Sequence, residues 1–118
     1  MKIAIDFDGV IDKHKEFIKD LWLSLVDHNL IGILTAHLPE DKFEDERWLR
    51  ENGFPTPDFY IGMPAYEKKI GSWKRRMVRE HGIDVLIDDF GGNNPEIEKS
   101  FFAGGELKFI LLRLSPGE

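Results

Sequence analysis

Two aspartates one residue apart, Asp6 and Asp8, precede Gly9 in the stretch Ile3-Ala4-Ile5-Asp6-Phe7-Asp8-Gly9-Val10. A second acidic pair, Asp88-Asp89, follows Val85-Leu86-Ile87. Carboxylates gathered without Cys or His partners suit a hard cation, and Mg²⁺ takes one or two of them together with waters and a substrate phosphate. A carboxylate can also attack phosphorus and carry the group as an acyl phosphate. That chemistry needs a cation for the phosphoryl charge, a general acid for the leaving group, and a hydroxyl and an ammonium to hold the transferring group. Asp6, Asp8, Thr35 and a lysine can fill those roles. His37 stands in the turn after Thr35-Ala36 and reads equally as a loop residue or a substrate contact.

These groups need elements that bring them together. The first run reads as a buried strand that ends at its acids, with Asp6 and Asp8 on one side and Phe7 pointing into the packing. From about Lys13 to His28, Phe17, Ile18, Leu21, Trp22, Leu25 and Val26 recur at helical spacing. Leu30-Ile31-Gly32-Ile33-Leu34 is a second strand ending at Thr35. Pro39 and the acids from Glu40 to Glu46 open a helix on a solvated face, with Trp48 and Leu49 as its apolar contacts and Asn52-Gly53 at its end. Asp58-Phe59-Tyr60-Ile61 is a short third strand. Ser72 is the expected N-cap of the next helix, which turns Trp73, Met77, Val78 and His81 to the sheet and stops at Gly82. Ile83 to Ile87 forms a fourth strand, a loop through Asn93-Asn94 and a short helix through Ile97, Phe101 and Phe102 follow, and Leu107 to Leu114 is the last strand. Strands alternating with helices imply a mainly parallel sheet with helices on both faces. The acids, Thr35 and His37 then share the carboxyl edge, where such sheets bind ligands.

The composition sets bounds. At 118 residues the chain has room for one domain, residues 1–118, and its 42% hydrophobic share with nine Phe and three Trp is that of a globular protein. The absence of Cys excludes disulfides, thiolate metal sites and a cysteine nucleophile. A net charge of -6 disfavours general nucleic-acid binding, leaving nucleic acid only as a substrate. No apolar run approaches the ~20 residues of a membrane span, so a soluble, cytoplasmic protein without membrane partners is expected.

The motifs resemble those of the haloacid dehalogenase superfamily of phosphatases: Asp6-Phe7-Asp8-Gly9-Val10 for the first, Thr35 for the second, a lysine at a helix start for the third and Asp88-Asp89 for the fourth, in that order. The resemblance implies a three-layer Rossmann-like core of five mainly parallel strands in the order 5-4-1-2-3. It implies Asp6 as nucleophile and Mg²⁺ ligand, and Asp8 as general acid and base with its backbone carbonyl on the metal. Thr35, Ala36 and the lysine would bind the phosphoryl group, and Asp88, with Asp89, would bind the metal. Lys74 is the preferred lysine, with Lys69 and Lys68 taking its place if the helix begins nearer Tyr66. Neither usual insertion point has room for a cap domain. A capless member favours a large phosphorylated substrate, such as a nucleotide or polynucleotide end, or a cover from a second copy of the chain. The turn at Thr35-Ala36-His37 and the later Trp48 to Gly53 are similar to polynucleotide 3′-phosphatase relatives, many of which carry Arg where His37 stands. A phospho-accepting signalling receiver is disfavoured, because its phospho-acceptor would end the third strand and Ile61-Gly62 offers no acid. A binding protein that keeps the fold without turnover is the alternative from another class.

Overall fold

The computed structural model describes residues 1–65, 67 and 69–88, and the backbone of 111–112. Four strands, β1 (Lys2–Ile5), β2 (Leu30–Leu34), β3 (Tyr60–Ile61) and β4 (Val85–Ile87), form a parallel sheet in the order β3-β2-β1-β4. Leu111–Leu112 runs parallel beside β4, pairing with Leu86 and Ile87. The rest of the expected last strand, the helix through Ile97, Phe101 and Phe102, and Asp89, Asn93 and Asn94 lie outside the described residues, as do Tyr66 and Lys68.

Alternation along the strands splits the core in two. Ile3, Ile5, Ile31, Ile33 and Ile87 pack on one face with Ile18 and Trp22 of α1 (Lys15–Leu25) and Leu49 of α2 (Lys42–Glu51). Ala4, Leu34 and Leu86 face the other way, against Trp73 and Val78 of α3 (Ile70–Glu80). These residues are nearly all under 5% exposed, so the helices bury both faces of the sheet. Gly32 is required by that packing: a Cβ there would collide with the carbonyl and ring of Phe59.

Several boundaries differ from the sequence expectation. α1 spans Lys15–Leu25, and its inward stripe is Ile18, Leu21, Trp22 and Leu25, at relative positions i, i+3, i+4 and i+7. Phe17 sits one residue off that stripe, about 100° around the helix, and is 53% exposed. α3 opens at Ile70 after Lys69, not at Ser72, which is an exposed residue in its first turn. His81 does not face the sheet: it is exposed and follows the last helical residue, and Gly82 at φ 63° turns the chain. Among the described residues no helix is long and apolar enough to cross a membrane.

Candidate functional site

β1 stops where Asp6 donates its N–H to the Ile87 carbonyl at 2.9 Å, the last rung before the chain leaves the sheet. The next residues wind into a wide turn, Phe7–Ile11, which buries Phe7, Val10 and Ile11. Gly9 takes φ 81° there, in the left-handed region that costs glycine little. Asp6 and Asp8 consequently part company. Asp6 is 6% exposed and accepts the Phe7 N–H at 3.0 Å, whereas the Asp8 side chain is 69% exposed.

The buried half of the site is Asp6, Lys74 and Asp88. Lys74 Nζ, on the inward face of α3, lies 2.5 Å from Asp88 Oδ2 and 3.3 Å from Asp6 Oδ1. All three residues are under 7% exposed. Burial alone would depress the lysine pKa, but the charges of Asp6 and Asp88 outweigh it and hold the ammonium protonated well above the ordinary lysine range. Thr35, 1% exposed, ends β2 next door; its N–H donates to the Ile61 carbonyl and its hydroxyl accepts the His37 N–H at 3.2 Å. Ala36 is half-buried beside it.

The second half is a relay on the same edge. His37 Nε2 lies 2.7 Å from Asp8 Oδ2, and its Nδ1 lies 2.7 Å from Asp45 Oδ2. Tyr60 Oη donates to that same Asp45 oxygen at 2.5 Å. Burial lowers the His37 pKa, yet the hydrogen bonds to Asp45 and Asp8 more than compensate and raise it. The protonated ring, which that shift favours, has an N–H for each of the two carboxylates. Burial, then the bond to Asp45, pushes the Tyr60 phenol far up, so it stays a neutral donor. The Phe7 ring lies 5.5 Å from the imidazole and meets Trp48 edge-on at 5.3 Å.

The structure thus brings Asp6, Lys74 and Asp88 together and links Asp8 to His37. Of the candidate lysines, Lys74 is the one buried between carboxylates; Lys69 is exposed and Lys68 lies outside the described residues. Asp45 is the correction. Expected on a solvated helix start, it is 9% exposed, because it precedes Trp48 by three residues and Leu49 by four and so shares the inward face of α2. That lone acid on an apolar stripe was the available signal. Tyr60 carried no signal beyond its place in a strand.

Among the described residues no three His, Cys, Asp or Glu side chains gather into a metal-holding group. Asp6 and Asp88 are nonetheless two buried oxygen donors whose combined charge a single lysine half neutralises, and such a pair fits a hard divalent cation. An open groove of about 260 Å³ beside Phe7, Asp45 and Trp48 adjoins the relay. A larger depression, about 590 Å³, lies at the opposite edge around Met1, Asp58 and Asp84. Comparisons with protein-family models, curated proteins and solved structures returned no match.

Proposed function

We propose that this protein is a Mg²⁺-dependent phosphomonoesterase of the haloacid dehalogenase type, working through an aspartyl-phosphate on Asp6. The observation that carries the proposal is the buried ammonium of Lys74 between Asp6 and Asp88, at the carboxyl edge of a parallel sheet and beside the buried Thr35. The strand order β3-β2-β1-β4, with Leu111–Leu112 beyond β4, agrees with the five-strand core that the resemblance implies.

The chemistry follows from the chain's own groups. Asp6 attacks phosphorus with a carboxylate oriented by the Phe7 N–H and by Lys74. Asp8, having taken up a proton from solvent as the substrate binds, gives it to the departing alcohol oxygen as the P–O bond breaks. The Thr35 hydroxyl and the Lys74 ammonium hold phosphoryl oxygens, which requires Lys74 to share its protons between Asp88 and the substrate. Asp8 then takes a proton from the water that attacks phosphorus, releasing orthophosphate and restoring Asp6. Asp6, Asp88 and the Asp8 backbone carbonyl would hold Mg²⁺, which when bound neutralises the phosphoryl charge.

The turn after β1 leads straight into α1, and only residues 62–69 separate β3 from α3. An uncapped site of that kind suits a large phosphomonoester, a nucleotide or polynucleotide end among them, or a cover from a second copy of the chain. Orthophosphate release from an aryl phosphate and a panel of nucleotides, 3′-phosphorylated oligonucleotides and sugar phosphates tests the proposal. Mg²⁺-dependent release by the wild type, lost in a folded Asp6→Asn variant, is expected. Binding of Mg²⁺ and orthophosphate without release from any of the panel would replace it with an inert binding protein.

A further inference from the structure

Asp8 is poorly held for a group that must meet a leaving oxygen in the right place. Its side chain is 69% exposed, it precedes a glycine at φ 81°, and its one hydrogen bond among the described residues goes to His37. His37 itself is held on every side. Asp45 takes Nδ1, the ring rests by Phe7, the N–H donates to the Thr35 hydroxyl, and the carbonyl accepts the Met63 N–H at 2.7 Å. Asp45 is anchored in turn by Tyr60 and by its place on the inward face of α2. The rigid end of this chain lies in the core and its free end is the carboxylate at the catalytic edge.

We propose that His37 is a positioning residue for Asp8, locked by Asp45 and Tyr60 so that Nε2 fixes the exposed carboxylate where it serves the leaving group. The inference rests on the phosphomonoesterase reading, in which Asp8 is the general acid. It assigns no contact between His37 and the phosphoryl group, which Thr35 and Lys74 hold.

Loss of the clamp misplaces the acid, and displacements of about 1 Å cost on the order of 100-fold in rate. His37→Ala is expected to lower kcat by about 10- to 100-fold on an alkyl phosphate, whose poor leaving group needs the acid. On an aryl phosphate with a good leaving group the loss should be much smaller, and KM and inhibition by orthophosphate should not change. Asp45→Asn should follow the same pattern, and His37→Gln, which keeps a donor for Asp8, should recover part of kcat. An equal loss on both substrates, or a change in KM instead of kcat, overturns the proposal.

A second measurement separates this inference from its parent. In ¹⁵N spectra of the histidine rings, Asp8→Asn should shift His37 Nε2 and Asp45→Asn should shift Nδ1. Ring signals indifferent to both variants overturn the positioning role whatever the turnover. Signals that respond as expected in a protein inactive on every phosphomonoester place the failure in the phosphatase reading, and the assignment of Asp8 as the acid falls with it.

Discussion

A lysine ammonium 3% exposed survives in the interior because two carboxylates meet it there. Removing one partner from a buried ion pair leaves an uncompensated charge and costs about 3–5 kcal/mol. Lys74→Met is therefore expected to lower the unfolding free energy by about that much in denaturant titrations without divalent cations, and to abolish phosphate release. Unfolding curves that coincide with wild type would refute the ion-pair assignment. The sign with pH follows from the raised lysine pKa: the contribution is complete below the unfolded lysine value of about 10.4 and disappears only as pH rises through the higher folded one. The contribution of Lys74 to wild-type stability should thus stay constant across neutral pH. Residue type and order nominated Asp6, Asp8, Thr35 and Asp88, and put Lys74 ahead of Lys69 and Lys68 only through a helix start placed at Ser72, later than the observed start at Ile70. They were not enough for Asp45, whose role depends on which way α2 faces: five of the seven positions from Glu40 to Glu46 are acids, and the other four are not buried.

At the scale of elements, the turn after β2 is tied to the end of β3. Gly62 lies against it so closely that a Cβ would stand 2.8 Å from both the His37 carbonyl oxygen and the Pro39 nitrogen, atoms of backbone that cannot swing aside. Gly62→Ala should push this turn outward and carry His37 with it. We expect kcat to fall by about 10-fold, as for a misplaced catalytic group, while the Tm falls by only a few degrees. Unchanged kcat would mean the turn yields without moving His37. Helix existence was legible from apolar periodicity, but the ends were not. Ser72 looked like a cap, yet α3 starts at Ile70, a register that carries Gly71 and Lys74 into the buried interior together with Trp73 and Val78.

Across the whole molecule the two edges of the sheet do different work. The carboxyl edge collects the charged groups of the site, and the opposite edge is pinned by two aspartates that each make a reciprocal pair of bonds. Asp84 accepts the Lys2 N–H and donates its own to the Lys2 carbonyl; Asp58 does the same with Ile31. These latches set the register of β4 on β1 and of β3 on β2. Asp84→Ala should destabilise the fold by about 1.5–3 kcal/mol, the range of a hydrogen bond to a charged group, with kcat unchanged. A fall in kcat at full stability would contradict this separation of edges. The α/β class and parallel pairing were readable because each apolar run had strand length and each intervening segment had helical period. The latches were not, since a polar residue before a strand looks the same whether or not it bonds its neighbour.

The central claim is covalent chemistry at Asp6, and it is tested most directly by acid-quenching the protein during incubation with a phosphomonoester and Mg²⁺ and mapping any phosphoryl adduct by peptide mass spectrometry. The expected result is a hydroxylamine-labile phosphoryl group on the peptide that begins the chain, located at Asp6 and absent from Asp6→Asn. Turnover that continues in Asp6→Asn, or an adduct on another residue, would contradict it.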